Sequence, residues 1–482
     1  MTASRIASLL PLVENGLPPR SAGAPPARVL IAGAGMAGLV AAYELQRAGH
    51  EPLLLEAQNR PGGRVQTLRE PFTDGLYAEA GAMRIPRAHR LTLAYVEKFG
   101  LSVSPFTMDN GQGFYYLNGQ RHRISEANVA PSVLLAEAAD HERTQTCTAL
   151  WESALRPLTE KLEREGEAAW TEIVREYDSF STREFLERAG WSEVAIELFG
   201  LLANQEALMN ASFLELLREE VGRCYTDMVS LDGGMDRLPF AFLPALRERI
   251  RFGARIIAIH QSETGVTFHY RTRASLFHET GDYAIVTLPF PVLRHVEVVP
   301  RFSRAKQRAI RQLYYDASAK VLVQCRRRFW EQDDGIFGGG TITDLPIRNL
   351  YYPEHGRETG RGVLLASYTW SEDAQRWGSL PPDERISEAV ENVALIHPQV
   401  KETFEVGASK VWHDDPYAGG AFALFDPGQQ TLLHEHIVAP EGRVFFAGEH
   451  TSLNHAWIQG ALESGLIAAS RVHEEAAAQG KT

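Results

Sequence analysis

The first clear element of the chain is a short apolar run from Arg28 to Ala32, with the composition of a buried strand. A glycine-rich segment follows, and a helical pattern of apolar residues then continues as far as Ala48. A second apolar run, Pro52 to Leu55, ends in Glu56. This order predicts a strand–turn–helix–strand unit whose two strands are parallel.

The apolar pattern changes twice further along the chain. Between residues 125 and 230, long stretches of Leu, Glu, Ala and Arg predict a helical region, with capping boxes at Ser181–Glu184 and Ser212–Glu215 marking two helix starts. From Arg251 onward, several runs alternate apolar and polar residues, which is typical of antiparallel or mixed sheet. A last helix is predicted from Ile458 to Glu475.

Composition and charge narrow the class of protein. A chain of 482 residues predicts two or three packed domains, and 44% hydrophobic with 23% charged residues is ordinary globular composition. The net charge of −12 argues against a nucleic-acid partner. The apolar runs are too short for a membrane span and the N-terminus lacks a full signal-peptide pattern, so we expect a cytoplasmic protein. Three scattered cysteines predict neither a disulfide framework nor a metal site.

Gly33, Gly35 and Gly38 form a G-x-G-x-x-G pattern between the predicted strand and helix. The first glycine permits a tight turn, the second lets the backbone approach a pyrophosphate, and the third lets helix and strand pack closely. The open N–H groups of the helix attract the anion, and Glu56 is placed to accept hydrogen bonds from ribose hydroxyls. The motif predicts a dinucleotide site but does not choose between NAD and FAD.

Further motifs favour FAD. The segment Arg60–Arg64 (RPGGR) offers N–H groups and a guanidinium to phosphate or flavin carbonyls. With the dinucleotide motif and the segments Gly81–Arg84, Gly233–Pro239, Phe446–Thr451 and His455–Gly465, it makes the chain resemble the flavin-containing amine oxidase superfamily. Within that superfamily the chain most resembles the L-amino-acid oxidases.

The resemblance implies an α/β fold in three parts, with FAD as cofactor, an L-amino acid and O₂ as reactants, and a homodimer. A Rossmann-type FAD-binding domain would comprise residues 27–64, 231–312 and 438–475. A mixed-sheet substrate domain would comprise residues 5–26, 65–124 and 313–437, and a helical insertion domain residues 125–230.

The resemblance also implies the residues that contact the cofactor. Glu449 would bind the ribityl chain, Ile256 would contact adenine, and the helix starting near Ile458 would direct its N-terminus at the flavin ring. The full set of implied contacts is Gly33, Gly35, Met36, Ala37, Gly38, Glu56, Ala57, Arg64, Gly81, Ala82, Met83, Arg84, Ile256, Gly448, Glu449, Ala456, Trp457, Ile458, Gln459 and Ala461.

Four residues are implied as catalytic: Arg84, Lys320, Tyr368 and Trp457. Arg84 would hold the substrate α-carboxylate, Tyr368 and Trp457 would face each other around the amine, and Lys320 would hold a water near the flavin. The small residues Ala421 and Ala456 would complete the substrate site and leave room for a large apolar or aromatic side chain.

The chemistry implied is hydride transfer from the substrate α-carbon to flavin N5, followed by hydrolysis of the imino acid to a 2-oxo acid and ammonia, and by reoxidation that yields H₂O₂. No metal is required. Four alternatives stay open: a decarboxylating L-amino-acid 2-monooxygenase, an oxidase for L-Lys or L-Arg in which Glu220 reaches the pocket, an amine oxidase, and a flavin-bound module without turnover. Glu220 lies in the stretch Leu216–Arg223, which lacks the histidine of animal relatives.

Overall fold

The structure, a computed structural model, describes residues 3–20, 25–273 and 275–479; residues 21–24, which fall in the range predicted for the substrate domain, lie outside it. At its centre is a parallel five-stranded sheet that contains both strands of the predicted N-terminal unit. The helix between those strands, Met36–Arg47, also matches the prediction. The strands in spatial order are Ile250–Arg251, Glu51–Leu55, Arg28–Ala32, Tyr283–Val286 and Val444–Phe446.

The long C-terminal helix, Ile458–Gln479, packs on the helix Met36–Arg47. The two helices approach closely at Gly465, where a Cβ would lie only 2.5 Å from the carbonyl oxygen of Ala37. The helices Ala3–Asn15 and Arg90–Lys98 pack against this pair through the same hydrophobic core. The glycine-rich turn therefore joins the central sheet to a layer of four packed helices.

A second, seven-stranded sheet is mixed, which confirms the predicted α/β class with a separate mixed sheet. Its central strands pair antiparallel, with a bulge where Val321 opposes Ser367 and Leu322 opposes Leu365. Ala366 is the extra residue of this bulge, between Leu365 and Ser367. The strands in order are Phe404–Val411, Ser318–Cys325, Gly362–Trp370, Asn349–Tyr351, Gly340–Thr343, Phe114–Leu117 and Gln120–Arg123.

Smaller sheets connect these two. A four-stranded sheet contains Leu276–Gly281, Val266–Arg271, Arg255–Gln261 and Glu297–Val299, and a three-stranded sheet contains Ile85–Pro86, Met228–Leu231 and Val103–Phe106. Two-stranded sheets pair Tyr314–Asp316 with Phe422–Leu424 and Thr67–Leu68 with Ala78–Glu79.

The region predicted to be helical contains α-helices and one short 3₁₀-helix. The capping box at Ser181 forms as predicted, with Glu184 closing it. The one predicted at Ser212 is wrong: a helix starts there, but the Ser212 hydroxyl caps nothing and Glu215 instead accepts hydrogen bonds from Phe425 and His455. The elements are Ile124–Val129, Pro131–Val133, Cys147–Glu165, Glu167–Tyr177, Thr182–Arg188, Glu193–Leu202, Glu206–Met209 and Phe213–Val221.

The remaining helices cover the sheets. Among the described residues, none of the helices has the length and apolar character needed to cross a membrane. All three cysteines are buried and unbridged. The remaining helices are Arg237–Ala241, Leu243–Leu246, Arg247–Arg249, Phe290–Leu293, Arg304–Gln312, Phe329–Gln332, Arg357–Thr359, Ser371–Gly378, Pro382–Ile396, Val400–Thr403, Gln429–Val438 and Glu449–Thr451.

Candidate active site

One cavity is lined by residues from both large sheets and from the helical region. Its walls include eighteen of the twenty implied cofactor contacts and every implied catalytic or substrate residue. Those residues come from segments that are far apart in the sequence: Gly33, Gly35–Ala37, Glu56–Ala57, Arg64, Gly81–Arg84, Ile256, Lys320, Tyr368, Ala421, Gly448–Glu449, Ala456–Ile458 and Ala461. The fold thus brings the predicted site residues to one place.

The other two implied contacts, Gly38 and Gln459, lie outside the cavity walls. Gly38 sits against the turn, where a Cβ would be 2.1 Å from the carbonyl oxygen of Gly33. The side-chain oxygen of Gln459 accepts hydrogen bonds from the backbone N–H and the hydroxyl of Thr92, at 3.0 and 3.1 Å. Both residues hold helices in place around the cavity.

The glycine-rich turn is fixed by backbone hydrogen bonds and by Glu56. Gly33 has a φ of +101°, which favours glycine. The Gly62 N–H donates to the carbonyl of Ala34 at 2.8 Å, and the Ala34 N–H donates to the Glu56 carboxylate, also at 2.8 Å. A Cβ at Gly35 would meet nothing within 4 Å, so the turn leaves open space in front of the next helix.

Arg64 and Glu449 form an ion pair across the cavity wall at 2.8 Å. Arg64 also donates to the carbonyl of Ala421 at 2.9 Å, and Glu449 accepts from the N–H of Ala456 at 3.1 Å. This pair joins three separate chain segments. The Arg64 guanidinium therefore stabilises the cavity wall. Its contact with phosphate or flavin carbonyls stays a prediction.

Arg84 faces the cavity among uncharged aromatic side chains, and its charge also lowers the pKa of Lys320. Its guanidinium donates to the Tyr351 hydroxyl at 3.2 Å and lies 5.8 Å from the ring centroid of Phe106 and 5.6 Å from that of Tyr351. None of the described carboxylates pairs with it, although most buried arginines have an acidic partner. Such a cation is available to bind an anion that enters the cavity.

The Lys320 side chain is buried, although the residue lies near the start of the strand Ser318–Cys325. Its ammonium donates to the carbonyls of Gly81 at 2.7 Å and Glu79 at 3.1 Å, and it lies 4.4 Å from the ring centroid of Tyr368. Burial lowers the pKa of Lys320 to about 7, although Glu79 opposes the shift. The amine can therefore gain or lose a proton near neutral pH.

Tyr368 and Trp457 both line the cavity, as implied, and each ring packs on another aromatic side chain. The Tyr368 ring centroid lies 4.2 Å from that of Trp370, and the Trp457 ring centroid lies 5.0 Å from that of His89. Burial lowers the pKa of His89 to about 3, so this imidazole stays neutral. Each of the two rings, Tyr368 and Trp457, therefore rests against a neighbouring aromatic side chain.

Comparison with known proteins agrees with this geometry. Residues 36–473 match the family model for flavin-containing amine oxidoreductases. The chain belongs to this family. It is 41% identical to the putative L-amino-acid oxidase YobN of Bacillus subtilis (strain 168), over 96% of this chain and 98% of that protein. It is 36% identical to the L-amino-acid oxidase of Vipera ammodytes ammodytes, over 96% of each chain.

Solved structures show the same fold at lower identity. Putrescine oxidase bound to putrescine matches with a TM-score of 0.74 and 20% identity, over 93% of this chain and 99% of that one. Cyclohexylamine oxidase from Brevibacterium oxydans IH-35A matches with a TM-score of 0.72 and 19% identity, over 95% of this chain and 100% of that one. The likeness confirms the fold class implied by the sequence.

The cofactor of this family is FAD, and the cavity fits it. The helix that starts at Met36 has no side-chain cap, so its first N–H groups are open to a pyrophosphate at Gly35, where a Cβ would meet nothing within 4 Å. Glu56 and Ile256 both line the cavity, and the Ala254 N–H donates to the Glu56 carbonyl at 2.8 Å, so ribose and adenine would bind where these two segments meet. The start of the Ile458 helix lines the same cavity, as do Lys320 and Trp457.

Two residues on the walls of this amine oxidoreductase site were not predicted from the sequence. Glu219 and Tyr225 line the cavity, whereas Glu220, the acid suggested from helical spacing, does not. Glu219 accepts hydrogen bonds from the Trp457 indole N–H at 2.7 Å and from the Tyr225 hydroxyl. Glu215, one helical turn before Glu219, contacts His455 of the segment that also contains Trp457, so both acids lie on the helix face that meets this segment.

Proposed function

We propose that this flavoenzyme oxidises L-amino acids to 2-oxo acids, with release of ammonia and H₂O₂. The observation that carries the proposal is Arg84, a cavity-lining guanidinium with a tyrosine hydroxyl as hydrogen-bond partner and with none of the described carboxylates paired to it. A guanidinium binds a carboxylate through two parallel hydrogen bonds. Simple amines have no group that would satisfy Arg84, whereas every α-amino acid has one.

The side chains around Arg84 then orient the substrate. With the α-carboxylate on Arg84, the α-carbon lies among Tyr368, Trp457 and Lys320, which line the same cavity. FAD, when bound, supplies the acceptor for the hydride of that carbon and passes the electrons to O₂. The aromatic rings hold the neutral amine and exclude bulk water, and Lys320 is placed to hold a water or exchange a proton near neutral pH.

The walls beyond the reacting carbon are largely apolar. Leu208, Leu424 and Trp370 line the cavity together with the small residue Ala421. This composition supports the acceptance of side chains that bring an apolar stem or ring. Glu219 is the acidic exception on the wall formed by the helical region.

The test is anaerobic mixing of the purified holoenzyme with single L-amino acids while the visible absorbance of the flavin is followed. We expect loss of that absorbance with L-amino acids, with no change for the D-isomers. Admission of air is expected to restore the absorbance, with one 2-oxo acid, one ammonia and one H₂O₂ formed per substrate. Formation of an amide and CO₂ would identify a monooxygenase instead. Reduction by simple amines alone would identify an amine oxidase.

A further inference from the structure

Glu219 places a carboxylate on the cavity wall with none of the described cations paired to it. Its oxygens accept hydrogen bonds from neutral donors, Trp457 and Tyr225. The other groups around it do not neutralise it: Glu215 and Glu220 are acids, and His89, which packs on Trp457, is neutral. The carboxylate is held rigidly and keeps acceptor capacity for a further donor.

The helical region contributes further acceptors to the walls of the same cavity. Gln205 lines the cavity and is only 5% exposed, and its side-chain oxygen has no hydrogen-bond partner among the described residues. The side-chain oxygen of Asn204, also on the cavity wall, has none either. Buried amide oxygens without partners are uncommon in folded proteins, so this wall is suited to a ligand that brings several N–H donors.

Arg84 and Glu219 are opposite charges on the cavity wall, each without an ion pair among the described residues, and Tyr225 lies within electrostatic reach of both. Burial and the Glu219 carboxylate raise the pKa of the Tyr225 phenol, whereas Arg84 lowers it. Apolar residues such as Leu208 and Leu424 line the same cavity. The arrangement suits a ligand with a carboxylate at one end, an aliphatic stem and a cation at the other end.

The α-amine itself is poorly matched to Glu219. Hydride loss from the α-carbon needs the lone pair of a neutral nitrogen, and a fixed carboxylate beside an ammonium raises its pKa and keeps it charged. The Glu219 carboxylate is therefore better matched to a second cation, at the end of the substrate side chain.

We propose that Glu219 selects L-amino acids with a cationic side chain, of the lysine, ornithine and arginine class, by binding the terminal ammonium or guanidinium. Gln205 and Asn204 add acceptors around that group, and the apolar walls hold its methylene stem. The proposal rests on the proposed oxidation of L-amino acids and changes the expected preference from apolar and aromatic side chains to cationic ones.

The first test compares L-Lys with L-norleucine, which has the same stem without the terminal ammonium. We expect a higher kcat/KM for L-Lys in the wild-type enzyme. In Glu219→Gln, whose amide oxygen can still accept from Trp457, the value for L-Lys falls by at least about 30-fold while that for L-norleucine stays nearly unchanged. Glu220→Gln, the adjacent residue outside the cavity wall, is the matched control and leaves both values unchanged.

A binding measurement separates recognition from turnover. The ligands 6-aminohexanoate and hexanoate lack the α-amine, so neither can be oxidised at the α-carbon, and they differ only by the terminal ammonium. Titration of the holoenzyme, followed by the flavin spectrum, is expected to give tighter binding of 6-aminohexanoate, and Glu219→Gln is expected to remove the difference.

The outcomes distinguish the two proposals. Equal losses for L-Lys and L-norleucine in Glu219→Gln, or a wild-type preference for L-norleucine, would overturn the role of Glu219 and leave amino-acid oxidation standing. Absence of flavin reduction with every L-amino acid, while 6-aminohexanoate still binds in a Glu219-dependent way, would overturn the oxidase function and leave the cation site standing.

Discussion

Replacement of Arg84 by methionine tests the anchor of the proposed function. Methionine keeps most of the length of the side chain and removes the charge and the donors. In the free protein, Arg84 has one hydrogen bond, to Tyr351 at 3.2 Å, and is not paired with any described carboxylate. The substitution therefore removes little that the protein itself uses.

The expected effects on activity and on stability differ in sign. A substrate carboxylate left without its buried cationic partner loses about 2–5 kcal/mol, which is roughly a 30- to 5,000-fold loss in kcat/KM. The protein loses a hydrogen bond worth about 1 kcal/mol but is relieved of an uncompensated charge in the cavity wall. We expect the midpoint of thermal unfolding of Arg84→Met to equal or exceed that of the wild type.

The assay is steady-state oxidation of the best L-amino acid at fixed O₂, combined with thermal unfolding of the same preparations and with the ratio of flavin to protein absorbance. Arg87→Met is the control, because Arg87 is three residues away, about half exposed and paired with Asp227 on the surface. A value of kcat/KM for Arg84→Met within about tenfold of the wild type, with FAD retained, would refute the carboxylate-anchor reasoning.

Three further predictions concern other parts of the molecule. Gly38→Ala is expected to lower both thermal stability and FAD retention, because its Cβ would lie 2.1 Å from a backbone oxygen. Gly35→Ala places its Cβ in open space and is expected to weaken FAD binding but leave apoprotein stability intact. Equal stability of the two apoproteins would contradict this prediction. Burial raises the pKa of Glu219 to about 7, so its cation-binding form increases as pH rises through that value. The kcat/KM ratio of L-Lys to L-norleucine should rise over the same range and should be flat in Glu219→Gln. Ser181→Ala is expected to lower the free energy of unfolding by about 1 kcal/mol and Ser212→Ala to leave it almost unchanged, because only Ser181 caps its helix. Urea unfolding of both variants measures the difference, and equal losses would refute the prediction.

Local patterns were sufficient for the dinucleotide turn. The apolar run Arg28–Ala32, the three glycines and the helix to Arg47 lie within one continuous stretch, so propensity and spacing determine their conformation. The failed capping box at Ser212 shows the limit of such patterns. Glu215 has the right spacing, but its carboxylate forms stronger, charge-assisted contacts with His455 of a segment more than two hundred residues away.

The choice between Glu219 and Glu220 shows the same limit at the active site. Both acids follow the apolar stripe of one helix, so helical periodicity cannot rank them. Glu219 is selected because the chain turns back after Val221 and brings the Tyr225 hydroxyl to it, and because Trp457, from the C-terminal part of the chain, donates to the same carboxylate. Neither contact has a local sequence signal.

The sequence by itself determined the α/β architecture, the FAD motif and, through resemblance, which residues to examine, because strand and helix periods and glycine turns are short-range properties. The tertiary structure decided that Arg84 faces the cavity without a described acidic partner, that Lys320 is buried against two carbonyls, and that an acid of the helical region reaches Trp457. These facts depend on pairing and desolvation between residues distant in the chain, and such contacts exist only once the domains have packed together.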